Sequence, residues 1–266
     1  MQEFIAQSLH GAAIIAKEHF GTVSSKVKPE DSNQVLTEAD IAIGKFLLHA
    51  VEQAYPSYNI IDEEAGVIDK GSNYTFVVDP IDGTSNFAAG LPHFGVMLGL
   101  LQDNRPIAGG IVLPMFDKLY VAQQGLGAYC NGQRVAVAAA ISVKDCLVAY
   151  GIDGHRDNPA QTRQEMQVLA DIILGIRNLR TSNSAYDIAM VASGEYGAFL
   201  NQTTKIWDNV APQIIIEEAG GLFTDFYGSP MNYSDALKRT GDNFTVCAAA
   251  PQLHRELQTI IHHSNK

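Results

Sequence analysis

The residues best suited to chemistry follow an apolar stretch that begins at Tyr74 and ends at Val78. They read Asp79-Pro80-Ile81-Asp82-Gly83-Thr84-Ser85-Asn86-Phe87. Pro80 fixes its own φ and biases the preceding aspartate towards an extended backbone, so a turn at Pro80-Ile81 can bring both carboxylates to one side, with the Ile81 carbonyl between them. Hard cations such as Mg²⁺ prefer oxygen ligands of this kind. The segment therefore predicts a site for divalent cations.

The residues after the second aspartate predict an anion site beside the cations. Gly83 lets a ligand approach the backbone closely, and Thr84, Ser85 and Asn86 are residue types that begin helices. The amides of Gly83 and Thr84 would then point outward at a helix start, where anions bind. A divalent metal that bridges carboxylate and phosphate would explain why the two kinds of group lie together.

Three alternative interpretations of this segment fit it less well. A surface turn with two solvated aspartates would not explain the strand before them or the helix-starting residues after them. A calcium loop needs acidic residues at alternate positions before glycine, which Pro80 and Ile81 interrupt. Dehalogenase-type phosphatases carry Asp-x-Asp-Gly-Thr, whereas an extra residue separates Asp79 from Asp82, so strand alternation would place the aspartates differently.

The elements that must position these groups follow from hydrophobic periodicity. An amphipathic helix opens the chain, and a capping box at Thr37 and Asp40 begins a second one. The polar stretch from Ser24 to Asn33 between them predicts a mobile loop. Strands then follow up to residue 137, after which strands and helices alternate, including a helix from Asp208 to Ala219. This change predicts two sheet-and-helix halves, residues 1–140 and 141–266.

Composition excludes several function classes. The 266 residues are 46% hydrophobic and 18% charged, which excludes a disordered or collagen-like chain. A formal charge of −11 without a basic tract argues against nucleic-acid or anionic-membrane partners, and no apolar run approaches the roughly 20 residues of a membrane span. The three cysteines have no CxxC spacing, and no signal peptide is recognisable. We expect a cytoplasmic protein that binds neither nucleic acid nor membrane.

Three motifs in order carry a resemblance to a known family. The segment from Asp79 to Phe87 resembles the first signature of the inositol monophosphatase family of lithium-sensitive, magnesium-dependent phosphatases. Upstream, Ile60-Ile61-Asp62-Glu63-Glu64 is similar to the family's Glu-Glu motif, and downstream Trp207-Asp208 with Glu218-Ala219-Gly220-Gly221 resembles its second signature. The resemblance covers nearly the whole chain. It implies an α+β or α/β fold, a layered α/β/α/β/α sandwich of the inositol monophosphatase and fructose-1,6-bisphosphatase type, and a homodimer.

The resemblance also implies a metal site. Glu63, Asp79 and the Ile81 carbonyl would hold a first Mg²⁺. Asp79, Asp82 and Asp208 would hold a second, and Glu63 a weaker third through water, which gives two to three ions per chain. On local grounds alone, Asp208 is explained equally well as a helix cap.

Phosphate binding and water activation are implied in the same way. Gly83 and Thr84 would donate amides to phosphate, and Glu63 and Thr84 would orient the attacking water in two-metal hydrolysis. Strand alternation turns Asp62 away from Glu63, so Asp62 is not expected to be a ligand, and Glu64 is expected outside the ligand set.

The residues that would bind the substrate alcohol depart from the family pattern. Inositol-selective relatives use a Gly-Ser-Ala-Ala stretch and a glutamate six residues before Trp-Asp. This chain has Asn183-Ser184-Ala185 and Asn201 there, which with Asp82 are the predicted substrate contacts. An amide accepts through one oxygen only, whereas a carboxylate offers two charged acceptors to a diol.

The resemblance predicts Mg²⁺-dependent hydrolysis of a small phosphate monoester, either inositol 1-phosphate or a related polyol or sugar phosphate. Two alternatives stay open. One is a sister-family phosphatase for histidinol phosphate, fructose 1,6-bisphosphate or adenosine 3',5'-bisphosphate. The other is a regulatory or binding protein that retains the fold.

Overall fold

The computed structural model describes residues 1–21, 25–28, 31–140 and 142–264, with the backbone alone for residues 25–28 and 31–35. The described helices are α1 (Gln2–His19), α2 (Glu38–Ala54), α3 (Thr84–Ala88), α4 (Pro159–Gly175), α5 (Ala185–Ala192), α6 (Val210–Glu218) and α7 (Pro251–Ser264). The described strands are β1 (Ser25–Lys28), β2 (Asp31–Thr37), β3 (Asn59–Asp62), β4 (Gly66–Ile68), β5 (Tyr74–Asp82), β6 (Gly95–Gln102), β7 (Arg105–Leu113), β8 (Lys118–Gln123), β9 (Gly127–Cys130), β10 (Gln133–Arg134), β11 (Leu147–Gly151), β12 (Asn178–Arg180), β13 (Ala198–Thr204), β14 (Leu222–Thr224) and β15 (Phe244–Ala249).

Two sheets form the body of the fold. The larger has eight strands in the order β10-β9-β8-β7-β6-β5-β3-β4, and the smaller has five in the order β12-β11-β13-β15-β14. Pairing is antiparallel except between β3 and β5 and on both sides of β11, where neighbouring strands are parallel. The chain therefore changes from a largely antiparallel meander to crossover connections after β10, as the sequence pattern predicted.

The helices cover and separate the two sheets. Helices α1 and α2 pack on one face of the eight-stranded sheet, and α5 and α6 fill the space between the sheets. Helices α4 and α7 pack together on the outer face of the five-stranded sheet. The layered α/β/α/β/α sandwich implied by the motifs is confirmed.

Strand alternation directs side chains to the two faces of the smaller sheet. On β11, Ala149 belongs to the core between the sheets, whereas Val148 and Tyr150 belong to the core under α4 and α7. On β13, Phe199 and Leu200 divide in the same way. Residues that continue the Phe199 side of β13 therefore face the interior between the sheets.

The capping box at the start of α2 is confirmed. The Thr37 side chain accepts a hydrogen bond from the Asp40 amide, and the Asp40 carboxylate accepts one from the Thr37 amide at 2.8 Å. The two groups satisfy each other's orphaned amides, which fixes the entry of the chain into α2.

The mobile loop predicted for Ser24 to Asn33 is wrong where the structure describes it. The backbone of β1 pairs antiparallel with β2, and Val27 lies opposite Val35. Ser24, Pro29 and Glu30 lie outside the described residues. The polar composition did not indicate this strand pair because backbone pairing does not require apolar side chains.

The division into halves at residues 140 and 141 stays a prediction. The eight-stranded sheet draws its strands from residues 59–134 and the five-stranded sheet from residues 147–249. Helix α6, however, packs against β6, β7 and β8 of the larger sheet as well as β14 and β15 of the smaller one.

No helix in the described part of the chain is long and apolar enough to cross a membrane.

Candidate active site

Strand β5 brings Asp79 and Asp82 to the same side of the larger sheet. Residues three apart on a regular strand point to opposite faces. Here Asp79 lies opposite Met97 of β6 and Asp82 lies opposite Gly95, so one extra residue is accommodated in a bulge between them. The predicted turn at Pro80-Ile81 is thus a bulge within a strand that runs on to Asp82, and both aspartates line the same cavity.

Gly83 connects this strand to the short helix α3. Its φ of +93° lies in the left-handed region, and a Cβ atom there would approach the Ser184 Cβ to 2.6 Å. Helix α3 begins at Thr84, as predicted, and the first amides of a helix have no acceptor within the helix. The Thr84 hydroxyl donates to the Ile81 carbonyl at 2.8 Å. The bulge and the start of α3 therefore form one connected unit.

Asp208 lies in the turn before α6. The helix begins at Val210, so the predicted start at Asp208 is two residues early. Oδ2 of Asp208 accepts a hydrogen bond from the Lys205 amide at 2.6 Å, and the Asp208 amide donates to the Lys205 carbonyl at 3.2 Å. Because its carboxylate bonds upstream of the helix, Asp208 stabilises the turn rather than capping α6.

Asp79, Asp82 and Asp208 form a tight acidic cluster. Each offers a carboxylate oxygen within 4.8 Å of the others. Asp79 is 1% exposed, and its buried Oδ1 has no hydrogen-bond partner among the described residues. Glu63 lies outside this group of three but lines the same cavity.

Burial and mutual repulsion make ionisation of the cluster costly. Burial, followed by the charges of the neighbouring carboxylates, raises the pKa of Asp79 and of Asp82 well above the usual range. Burial raises the pKa of Asp208 to about 6, against the opposing hydrogen bond from the Lys205 amide. Like charges held this close out of water need compensation, which protons or cations can supply.

The cluster fits hard divalent cations. Its donors are all carboxylate oxygens, the preferred ligands of Mg²⁺, and the buried Asp79 Oδ1 is an acceptor without a protein donor. Ile81 and Glu63 line the same cavity, and a backbone carbonyl and a further carboxylate are also oxygen ligands that suit Mg²⁺.

The acidic residues around Glu63 lie in different surroundings. The buried Asp62 accepts hydrogen bonds from the amides of Glu64 and Ala65 at 2.9 and 2.7 Å. Neither Asp62 nor Glu64 is among the residues that line the cavity, whereas Glu63 is. Asp62 thus shapes the turn that presents Glu63.

The cavity has a volume of about 330 Å³ and extends from the acidic cluster to the smaller sheet. Of the predicted substrate contacts, Asn183, Ser184 and Asn201 line it with Asp82. Ala185 is fully buried and does not line it; its amide instead donates a hydrogen bond to Asp82.

Sequence reasoning missed several lining residues, among them Asp153, Thr203 and Lys205. Asp153 follows the end of the parallel strand β11, and the carboxyl ends of parallel strands commonly border ligand sites. Thr203 lies two positions after Asn201, within the register shift of β13 against β15, and its amide and hydroxyl donate to Asn201 Oδ1. Both could have been found by following the strands to their ends.

The sequence model of the inositol monophosphatase family matches residues 1–266, the whole chain. The chain belongs to the inositol monophosphatase family. Its membership confirms the family implied by the three motifs and identifies the chain as a phosphoric monoester hydrolase.

The proteins to which the chain is similar have different names. The chain is 32% identical over 229 residues to a "Fructose-1,6-bisphosphatase/inositol-1-monophosphatase" of Aquifex aeolicus, with 84% of each chain covered. It is 34% identical over 209 residues to "Nus factor SuhB" of Pseudomonas aeruginosa, with 76% of each covered. The structure of an IMPase from Thermotoga maritima superimposes with a TM-score of 0.85 at 25% identity, covering 99% of this chain and 97% of that one.

Proposed function

We propose that this inositol monophosphatase family member is a Mg²⁺-dependent phosphatase for a small polyol or sugar phosphate, with inositol 1-phosphate as the first candidate substrate. The observation that carries the proposal is the position of three carboxylates within 4.8 Å of one another, in a cavity also lined by Gly83 and Thr84 at the start of α3. Carboxylates that gather dications beside outward-facing amides suit a phosphate ester.

The acidic residues would hold the cations in overlapping sets. Glu63, Asp79 and the Ile81 carbonyl would hold one ion, and Asp79, Asp82 and Asp208 a second, with Glu63 contributing through water to a weaker third. Bound Mg²⁺ supplies Lewis acidity that makes water a better nucleophile and neutralises charge on phosphoryl and leaving-group oxygens. The pKa values raised by burial and repulsion support this assignment, because divalent cations relieve both costs.

The residues at the start of α3 would bind the phosphate and position the water. The amides of Gly83 and Thr84 would donate to phosphate oxygens. The Thr84 hydroxyl donates its hydrogen bond to the Ile81 carbonyl at 2.8 Å. Its oxygen can therefore still accept a hydrogen bond from water. Glu63 supplies a second acceptor, and the two together would orient the attacking oxygen towards phosphorus.

The charge of the cavity explains why cations are needed. Among the described residues that line it, five are acidic and Lys205 alone is basic. The Lys205 ammonium already donates to the carbonyls of Gly241 and Asp242, at 2.9 and 3.3 Å. A dianionic phosphate would be repelled from this cavity unless divalent cations reverse its potential.

A phosphate-release assay tests the proposal directly. The purified protein is incubated with Mg²⁺ and, separately, with inositol 1-phosphate, fructose 1,6-bisphosphate, histidinol phosphate and adenosine 3',5'-bisphosphate. Release from inositol 1-phosphate that stops when EDTA is added supports the proposal. Release from one of the other three compounds, and not from inositol 1-phosphate, would indicate a sister-family substrate. No release from any of the four compounds contradicts the proposal.

A second candidate is a partner-binding role, favoured by the similarity to the Nus factor SuhB of Pseudomonas aeruginosa. A binding protein that has lost catalysis has no need of a complete set of ligands. The four acidic residues implied as ligands are all present here, which supports catalysis. Silence across the substrate panel would favour the binding role. Homodimer formation and a cytoplasmic location stay predictions.

A further inference from the structure

A fifth carboxylate, that of Asp153, lines the cavity. Asp153 follows β11 and lines the cavity with Asn201 and Thr203 of β13 and with Asn183, which lies between β12 and α5. Its Oδ1 accepts a hydrogen bond from Asn183 Nδ2 at 3.1 Å, and its Oδ2 lies 3.5 Å from the Thr203 hydroxyl. The hydrogen bond from Asn183 thus holds the Asp153 carboxylate in the cavity wall, as a binding group requires.

Asn201 cannot serve as the acceptor on this side of the cavity. Its Oδ1 accepts from the Thr203 amide at 2.7 Å and from the Thr203 hydroxyl at 3.0 Å. What the side chain has left for a ligand is the Nδ2 donor. The acceptor for substrate hydroxyls must therefore come from another residue, and Asp153 is the carboxylate that lies next to this group.

Gly151 makes this arrangement possible. A Cβ atom at position 151 would lie 2.4 Å from Asn201 Nδ2 and 2.6 Å from Asn183 Oδ1. Since β11 has no side chain here, the two asparagines can approach each other at the end of the strand, where Asp153 follows. The local sequence is consistent with a built group of polar side chains rather than with a chance surface contact.

We propose that Asp153 is a specificity-determining residue that accepts hydrogen bonds from hydroxyl groups of the substrate alcohol. The proposal rests on the proposed function and deepens it, because it names the substrate class as the monophosphate of an uncharged polyol. A carboxylate offers about four lone-pair positions, so it can accept substrate hydroxyls while it keeps Asn183 and Thr203 as neighbours.

The same charge disfavours substrates with a second phosphate. A phosphate group on the alcohol side would lie near Asp153, and Lys205, the one basic residue among the described lining residues, already donates to two backbone carbonyls. Like charges facing each other across a binding site exclude the wrong ligand. Hydroxyl groups are therefore favoured over a second phosphate at this position.

The test compares two substrates that differ in hydroxyl groups alone. Inositol 1-phosphate and cyclohexyl phosphate share the ring and the phosphate, and kcat/KM is measured for both with Mg²⁺ in the parent protein, in Asp153→Asn and in Asp157→Asn. Asp157 is exposed in the same loop and does not line the cavity, so its variant loses the same charge without the contact.

We expect Asp153→Asn to lower the ratio of kcat/KM for inositol 1-phosphate to kcat/KM for cyclohexyl phosphate by about tenfold or more. The loss of a hydrogen bond to a charged group changes a rate ratio by about that factor. Asp157→Asn should leave the ratio unchanged. A ratio that stays constant in Asp153→Asn overturns the inference while leaving the phosphatase function intact. A parent protein that hydrolyses neither substrate overturns inositol 1-phosphate as the proposed substrate, and with it the inference.

Discussion

Asp79 and Asp82 lie on one face of β5 although three sequence positions separate them. Their partners on β6, Met97 and Gly95, are two positions apart, so a bulge absorbs the extra residue. The register of the strand pair, rather than a free turn, therefore sets where both carboxylates stand. The same strand end carries the Ile81 carbonyl and leads directly into Gly83, so one short segment would supply both the proposed cation ligands and the proposed phosphate ligands.

The Gly83→Ala substitution tests the backbone geometry of this segment. The backbone at position 83 is in the left-handed region, which alanine adopts only at a cost, and the new Cβ would lie 2.6 Å from the Ser184 Cβ. We expect the free energy of unfolding to fall by about 2–4 kcal/mol, measured by urea denaturation. In the matched variant Gly90→Ala, φ is +73° but no atom lies within 4 Å, so about 1–2 kcal/mol is expected. Equal losses in the two variants would show that Ser184 does not constrain Gly83.

The stabilisation of the protein by Mg²⁺ should depend on pH. Burial raises the pKa of Asp208 to about 6, and burial and neighbouring carboxylates raise the pKa values of Asp79 and Asp82 well above the usual range. The folded protein therefore holds these protons more tightly than the unfolded chain. Without Mg²⁺, the protonated aspartates therefore stabilise the folded protein at low pH. The free energy of unfolding decreases as the pH rises from the usual pKa of 3.8 to about 6, and it decreases further above that.

Because protons and Mg²⁺ compete for the same oxygens, we expect Mg²⁺ to raise the Tm more at about pH 8 than at about pH 5. Differential scanning fluorimetry with and without Mg²⁺ measures the difference. Asp208→Asn should reduce the rise at the higher pH. A rise of the same size at both pH values would argue against binding by the carboxylate cluster.

The capping box at Thr37 and the three family motifs could be recognised because they depend on local patterns and their spacing, and the order of the layers followed from the resemblance to the family. Other features depend on contacts between distant segments. The bulge at Pro80 and Ile81 is defined by the pairing of β5 with β6. Asp153 becomes part of the site only because β11 and β13 are parallel neighbours that end beside the cavity.

Lithium is expected to inhibit the phosphatase. Li⁺ is a small, hard cation that prefers oxygen ligands, but its single charge neutralises less of the charge that builds up on the phosphoryl group. Phosphate release from inositol 1-phosphate should decrease at millimolar LiCl and not at the same concentration of NaCl. Full activity in LiCl would contradict replacement of Mg²⁺ at one of the proposed positions.

Asp79→Asn should abolish turnover and leave the fold intact. Asp79 belongs to both proposed cation sets, and the amide has nearly the same volume as the carboxylate. Since the substitution also removes a buried charge that neighbouring carboxylates repel, the Tm without Mg²⁺ should not fall. Circular dichroism and phosphate release measure the two effects, with the exposed Glu52→Gln as the control that keeps full activity. Activity of Asp79→Asn within a few-fold of the parent protein would contradict the assignment.

The most direct test of the central claim is a calorimetric titration of the purified protein with Mg²⁺, carried out in parallel on Asp79→Asn. The acidic cluster predicts saturable heat of binding in the parent protein and its loss in the variant. Equal binding in the two proteins, or no binding in the parent, would contradict a magnesium site built on Asp79, Asp82 and Asp208.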